Sequence, residues 1–235
     1  MLRKCISCPG TKTVQQVLIS KFDEDTNVEI TFSQRTSVDR SELISLNLLV
    51  TELIAPLITK LKALIPNSYI AKTQSQYLKR RKEELRDDTI LILMDFSENF
   101  IFVVQDEAQG YHWTNSSCSL HPVVLYFKDT EGSLSSLSLC FLSDDMHHDV
   151  AFVYHVQKDI AAIIKLKFPS VTNVEYFTDG CAGQYKNCKS FLNLCKHKED
   201  FGLHASWLFF ATSHGKSPCD GIRGTIKRLT AKASL

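Results

Sequence analysis

Apolar residues in the first third of the chain recur at helical spacing. From residue 41 to 64, leucines follow one another at intervals of three and four: Leu43, Leu46, Leu49, Leu53, Leu57, Leu61 and Leu64. This spacing predicts an amphipathic helix, because side chains three or four positions apart share one face. A second helical pattern covers about 70–86, and the stretch 28–32 favours a short strand. Residues 1–88 are therefore expected to form a small, mainly helical region.

After residue 88 the pattern changes to short apolar runs separated by amphipathic segments. Residues 89–94 form a continuous apolar run of strand length, which is typical of a buried central strand. Further strands are predicted at 121–128, 134–142, 173–178 and 206–212, and helices at 148–168, 184–197 and from 218 onward. The order β-β-β-α-β-α-β-α predicts an α/β domain, 89–235, with a mixed sheet and helices on both faces. The last helix reaches residue 235 without a C-cap signal, which favours a C-terminally truncated domain.

Composition narrows the class of protein but not its function. Lys and Arg number 27 against 26 Asp and Glu, so the net charge of +1 gives no overall attraction to nucleic acid. Eight cysteines in 235 residues are too few for a disulfide scaffold. The N-terminus lacks a signal-peptide pattern, and charged residues and Pro56 interrupt the most apolar stretch, 43–65. We expect a nuclear or cytoplasmic protein that is neither secreted nor membrane-bound.

Two aspartates directly follow predicted strands. Asp95 ends the first strand of the sheet and Asp179 ends the fourth, and such strands are often neighbours in open α/β sheets. Adjacent carboxylates repel each other unless a cation lies between them, and their oxygens suit Mg²⁺ or Mn²⁺. Asp220, which follows the fifth predicted strand in the first turn of the last predicted helix, is the preferred third ligand. The other acids considered for this position are Glu98, Asp144, Asp145, Asp149 and Asp200. Each acid could instead be an ordinary turn residue or, for Asp220, an acid favoured by the helix dipole.

Three motifs around these acids resemble a known family. They are DFSEN at 95–99, TDGCAGQYK at 178–186 and SHGKSPCDG at 213–221. In this order, on these elements, they are similar to the RNase H-like catalytic core of DDE/D transposases, and in particular to transposon-derived open reading frames of animal genomes. The resemblance covers about 89–235 and extends only loosely to 1–88.

The resemblance implies metal-dependent cleavage and joining of DNA strands by two-metal phosphoryl transfer. In that mechanism Asp95 would bridge two Mg²⁺ or Mn²⁺ ions, and Asp179 and Asp220 would each hold one. Two other functions stay open: a domesticated, non-catalytic DNA-binding protein that keeps the fold, and another RNase H-fold nuclease. The oligomeric state also stays open, a homo-oligomer included.

Basic residues are concentrated around the last predicted helix. The predicted DNA-binding residues are His214, Lys216, Arg223, Lys227 and Arg228. Clustered Lys and Arg neutralise backbone phosphates, and these residues flank or share a helix with Asp220. A second basic segment, 72–86, could bind DNA or form a solvated helix face.

Cysteines and a short acidic run give weaker signals. Cys5 and Cys8 have the spacing of half a zinc site, but no second pair follows, so two free thiols are the simpler interpretation. The three cysteines that recur every seven residues are expected to pack as small buried side chains: Cys181, Cys188 and Cys195. The acidic run at 144–149 is expected to cap a helix rather than to bind a metal ion.

Overall fold

The computed structural model describes residues 10–22, 28–37, 41–102, 117–210 and 218–233. The chain divides into two compact units, Met1–Lys72 and Thr73–Leu235. This division falls inside a long helix, whereas the sequence predicted a boundary between residues 88 and 89.

The first unit combines helices with a two-stranded sheet. Its elements are α1 (Thr11–Phe22), β1 (Glu29–Ser37), β2 (Ser41–Leu49) and the first part of α2 (Val50–Glu83). β1 and β2 pair antiparallel, with Glu29 opposite Leu49. Three residues of α2 are buried, Val50, Ile54 and Ile58, and pack against apolar side chains of α1 and β1. A small separate core therefore holds this unit together.

The helix predicted from residue 41 onward is wrong over its first nine residues, which form β2. The leucine spacing there overlaps an alternating pattern, in which Ile44, Leu46 and Leu48 are half-buried while Leu43 is 68% exposed. Pairing with β1 decides between the two periods, because only the alternating one gives a strand an apolar face. α2 then runs for 34 residues where two helices were predicted. Neither α2 nor any other helix in the described ranges is long and apolar enough to cross a membrane.

The second unit is built on a mixed sheet, as predicted. Its strands are β3 (Thr89–Met94), β4 (Phe100–Ile101), β5 (Ser117–Lys128), β6 (Leu134–Ser143), β7 (Asn173–Thr178) and β8 (His204–Phe209). β5 is antiparallel to both β3 and β6, and β4 pairs with the first residues of β5. β7 is parallel to both β3 and β8. β3 is thus a central strand, and all six of its residues are buried.

Three helices follow the strands of this unit: α3 (Val150–Lys167), α4 (Cys188–Phe201) and α5 (Pro218–Ala233). Asp149 caps α3 by accepting a hydrogen bond from the Phe152 amide at 3.0 Å, which confirms the predicted capping role of the acidic run. Asn187 caps α4 in the same way, and the left-handed residue Gly202 ends it. α4 therefore begins and ends four residues later than predicted.

Helices cover both faces of the sheet because β3 alternates its side chains between two cores. Ile90, Ile92 and Met94 join a large cluster with α3 and α4. Leu91 and Leu93 join a smaller cluster on the other face, to which α5 and the end of α2 contribute. The α/β class is confirmed, and the carboxyl end of β3 emerges between these two layers.

Candidate active site

Strand register brings Asp95 and Asp179 to the same edge of the sheet. β3 and β7 are parallel neighbours, as predicted, and their last paired residues are Leu93 and Phe177. Each aspartate lies two residues beyond that pair, and neighbouring strands are about 4.8 Å apart. The two acids therefore leave the sheet side by side.

Backbone hydrogen bonds fix the segments that carry these acids. The Asp95 amide donates to the Pro122 carbonyl at 3.3 Å, which ties the end of β3 to β5. Asp179 Oδ1 accepts from the Cys181 amide at 3.0 Å and closes a turn directly after β7. Both aspartates thus sit on backbone that the sheet and its first turn hold in place.

Asp220 lies in the first turn of α5. The preceding residue, Cys219, is 2% exposed and packs among Leu91, Leu93 and Phe177 on β3 and β7. Cys219 anchors the start of α5 on the two strands that end in Asp95 and Asp179, while the Asp220 side chain remains exposed.

The three acids interact electrostatically. Burial raises the pKa of the half-buried Asp95 to about 7, and the negative charges of Asp179 and Asp220 contribute further to this rise. At neutral pH, the Asp95 carboxyl group is therefore partly protonated. A carboxyl group perturbed by burial and by specific acidic neighbours is characteristic of functional sites.

Within the residues that the structure describes, the three acids do not make up a ready metal site. Among the described ranges, no group of three or more His, Cys, Asp or Glu residues is arranged to hold a metal ion. Charge repulsion weakens only as the inverse of distance, whereas Mg²⁺ needs its oxygen ligands at about 2.0–2.1 Å. Asp95 is thus close enough to Asp179 and Asp220 to be repelled by both, although repulsion does not require metal-ligand distances. The carboxylate oxygens of all three acids are of the kind that suits Mg²⁺ or Mn²⁺. The predicted zinc ligands Cys5 and Cys8 lie outside the described residues.

A buried polar pair lies close to the acids and was missed by sequence reasoning. A hydrogen bond of 3.0 Å joins His121 Nε2 on β5 to the hydroxyl of Tyr185, and both side chains are fully buried. Burial, with a contribution from His148, lowers the pKa of His121 to about 3, so this ring is neutral. Burial and the charges of Asp95 and Asp179 raise the pKa of Tyr185 well above its usual value. Its place in the motif TDGCAGQYK was the available signal.

Three of the five predicted DNA-binding residues lie on α5, the helix of Asp220. Arg223 Nη2 contacts Glu98 Oε2 at 2.8 Å, and Lys227 Nζ lies 3.5 Å from the same oxygen. Arg228 is exposed. His214 and Lys216 fall outside the described residues.

The second basic segment makes contacts within its own unit. Arg81 forms an ion pair with Glu175 of β7 at 2.5 Å, and Lys82 Nζ lies 3.6 Å from the centre of the Tyr126 ring. Arg86 forms an ion pair with Asp88. These contacts give the segment a role in the fold, and we do not assign it to DNA binding.

The acids Asp144, Asp145 and Asp149 were among the alternatives to Asp220 as the third site residue. Asp145 Oδ1 contacts His147 Nδ1 at 2.7 Å, and Asp149 caps α3. Asp144 lines a mostly apolar cavity of about 320 Å³ together with Phe100 and Ile226. Since Asp220, and none of these three, contributes to the raised pKa of Asp95, we retain Asp220 as the candidate.

The prediction that the three evenly spaced cysteines pack in the core is wrong: Cys181, Cys188 and Cys195 are all exposed. Cys181 lies in the loop before α4, and α4 buries other positions, including His197 and Phe201. A seven-residue repeat identifies a shared helical face but not whether that face is the buried one.

A family model described as a domain of unknown function, DUF8701, matches residues 74–235. The chain belongs to this family. All three acids, Glu98 and the cations of α5 fall within the DUF8701 region. A second model described as a domain of unknown function, DUF8700, matches residues 1–65. No curated protein and no solved structure matches the chain.

Proposed function

We propose that the DUF8701 region is the RNase H-like catalytic core of a transposase-derived protein that cleaves and joins DNA strands with divalent metal ions. The element order supports this fold, since an antiparallel run of β3, β5 and β6 precedes helices that alternate with β7 and β8. One observation supports the proposed activity most strongly. Asp95 and Asp179 each lie two residues beyond the last pair of the parallel strands β3 and β7, and the charge of Asp220 contributes to the raised pKa of Asp95.

Asp95, Asp179 and Asp220 would hold Mg²⁺ or Mn²⁺. The ions would activate the attacking oxygen and stabilise the leaving oxygen of the phosphodiester. Asp95 must lose its proton before it can act as a ligand, so protons compete with the metal ion, and cleavage at a limiting metal concentration should increase as pH rises. DNA as the partner, and a nuclear or cytoplasmic location, belong to the same proposal, whereas zinc at Cys5 and Cys8 stays a prediction.

Two other functions share the same fold. A domesticated DNA-binding protein would keep the basic residues of α5 without performing chemistry. Another RNase H-fold nuclease would use the same acids on a different substrate, such as RNA paired with DNA. Activity on different nucleic acids separates all three.

The test is nicking of supercoiled plasmid by the full chain in Mg²⁺ or Mn²⁺. We expect the wild type to nick, and Asp95→Asn, Asp179→Asn and Asp220→Asn each to lower the rate at least about 100-fold while DNA binding persists. Asp88→Asn is the matched control, because Asp88 precedes β3 at the opposite edge of the sheet and should nick normally.

Each of the other outcomes points to a different function. DNA binding by the wild type without nicking favours the domesticated protein, and cleavage restricted to RNA–DNA hybrids favours the other nuclease. Nicking that survives in Asp220→Asn but is lost in Asp144→Asn would move the third acid to the loop after β6.

A further inference from the structure

Glu98 brings one carboxylate oxygen against two cations of α5. Its Oε2 lies 2.8 Å from Arg223 Nη2 and 3.5 Å from Lys227 Nζ. Arg223 and Lys227 are four residues apart and therefore neighbours on one helix face. Glu98 follows the site residue Asp95 by three positions, in the segment between β3 and β4. The Glu98 carboxylate thus lies between the cations Arg223 and Lys227, which share a helix with Asp220.

This ion-pair cluster is open to solvent. The Glu98 side chain is 74% exposed, and those of Arg223 and Lys227 are 34% and 31% exposed. Solvent-exposed ion pairs contribute little to stability, and another anion can displace them readily. The start of α5 is anchored by buried Cys219, so the helix does not depend on Glu98 for its position. The cluster is therefore an exchangeable contact.

The position of the two cations suits the nucleic-acid backbone. Asp220 precedes Arg223 by three residues and Lys227 by seven, which correspond to about 4.5 Å and 10.5 Å along the helix axis. A strand with one phosphodiester at the acids would have a neighbouring phosphodiester within reach of this pair. Two cations that share one carboxylate oxygen can equally hold an oxygen of a phosphodiester.

We propose that Arg223 and Lys227 form a binding site for a backbone phosphodiester, and that Glu98 occupies this site in the free protein and is displaced when nucleic acid binds. This inference rests on the proposed function for its ligand, since it concerns the same nucleic acid, but it requires binding only and not cleavage. Glu98 thereby lowers the affinity for nucleic acid, because a phosphodiester has to displace its carboxylate to reach the two cations.

The test is binding of a fluorescently labelled DNA duplex to the full chain, followed by anisotropy over a range of salt concentrations. Glu98→Gln removes the competing charge and should tighten binding about three- to tenfold at low salt, because two exposed ion pairs no longer have to be broken. The matched control is Glu199→Gln. It changes the net charge equally at an exposed residue of α4, on the other face of the sheet, and should shift affinity less than twofold.

A double-variant comparison tests whether the effect runs through the two cations. In an Arg223→Gln/Lys227→Gln background, Glu98→Gln should no longer tighten binding, and the salt slope should fall by up to about 0.9 for each lost phosphate contact. In an Arg228→Gln background the full effect of Glu98→Gln should remain, because Arg228 has no ion pair with any residue in the described ranges. Thermal melts of all variants check that each is folded.

Several results would overturn the proposal: weaker or unchanged binding in Glu98→Gln, an effect that persists without Arg223 and Lys227, or absence of DNA binding in both wild type and Glu98→Gln. If Glu98→Gln changed the binding of inorganic phosphate but not of DNA, the site would be assigned to free phosphate, and the proposal would also be overturned.

The proposed function can fail separately. If the protein never nicks plasmid but Glu98→Gln binds DNA more tightly, the phosphodiester site stands and the catalytic proposal fails. If the wild type nicks plasmid normally but Glu98→Gln does not change DNA binding, the catalytic proposal stands and the phosphodiester site is overturned.

Discussion

The two ends of β3 each carry an aspartate, and the two carboxyl groups have opposite environments. Asp88, just before the strand, accepts hydrogen bonds from Arg86 Nε at 2.9 Å, Thr89 Oγ1 at 2.8 Å and Asn173 Nδ2 at 3.1 Å. The hydrogen bond from Arg86, followed by that from Thr89, lowers the pKa of Asp88 below its usual range. This acid is ionised and satisfied.

Asp95, just after the strand, has no ion pair with any residue that the structure describes. Its neighbours include the acids Asp179 and Asp220, and burial raises its pKa to about 7. Asp88 receives hydrogen bonds from three side chains, whereas Asp95 is held among other acids, where its charge costs free energy that a backbone hydrogen bond at Phe96 offsets only in part. This difference between the two ends of one strand distinguishes an acid that stabilises the fold from a candidate functional carboxylate.

The largest expected effect comes from Asp95→Asn, which should stabilise the protein at pH 8. The pKa of Asp95 is higher in the folded state than in the unfolded chain, so the folded state binds more protons between about pH 4 and 7, and stability falls as pH rises through that window. Removing the charge should raise the free energy of unfolding by about 4 kcal/mol at pH 8. Urea denaturation at pH 8 and pH 4 measures this, and the gain should vanish at pH 4. A loss of stability at pH 8 would contradict the described environment.

A divalent ion should relieve the same repulsion. At pH 8, Mg²⁺ or Mn²⁺ at about 100 times its dissociation constant should stabilise the wild type by about 2.7 kcal/mol. Thermal melts at constant ionic strength measure the shift, with NaCl as the control. Asp88→Asn should keep the shift and Asp95→Asn should lose it. An equal shift in both variants would place the ion elsewhere on the molecule.

Tyr185→Phe tests the buried polar pair at the Asp95 end. The substitution leaves His121 Nε2 buried without its partner, which should lower the free energy of unfolding by about 1–3 kcal/mol. Tyr154→Phe is the matched control, since the Tyr154 hydroxyl contacts Asp200 at the surface and should matter less. Urea denaturation measures both variants. If Tyr185→Phe and Tyr154→Phe lowered the free energy of unfolding equally, the buried hydrogen bond would contribute no more to stability than the exposed one.

The smallest expected effect belongs to Asp88→Asn. The amide loses the charge that favours the hydrogen bond from Arg86, so stability should fall modestly at pH 7 and the difference should shrink as pH drops below the usual aspartate pKa. Urea denaturation at pH 7 and pH 3 measures the change. A gain in stability, as expected for Asp95→Asn, would remove the contrast between the two ends of β3.

Most of the second unit could be predicted because its signals are local. The apolar run of β3 and the cap at Asp149 each depend on a few adjacent residues. The first unit was harder, since residues 41–49 satisfy both a helical and an alternating pattern, and only pairing with β1 selects the strand.

The candidate site was predictable where it follows strand ends and unpredictable where it depends on distant contacts. Asp95 and Asp179 could be found from the sequence because the order of the elements predicts that the strands before them are neighbours in the sheet. The contacts of Glu98 with Arg223 and of His121 with Tyr185 join residues far apart in sequence, and no periodicity signals them.

The parallel pairing of β3 with β7 also has a consequence for how the chain folds during synthesis. The partners Leu93 and Phe177 are more than eighty residues apart, so at about 5–20 residues per second β3 leaves the ribosome roughly 4–17 s before β7 does. β5 emerges earlier and can cover one edge of β3, but the other edge, Thr-Ile-Leu-Ile-Leu-Met, stays unpaired in the meantime. Such an edge is a template for association with other chains, so the nascent protein should depend on chaperones until β7 is made.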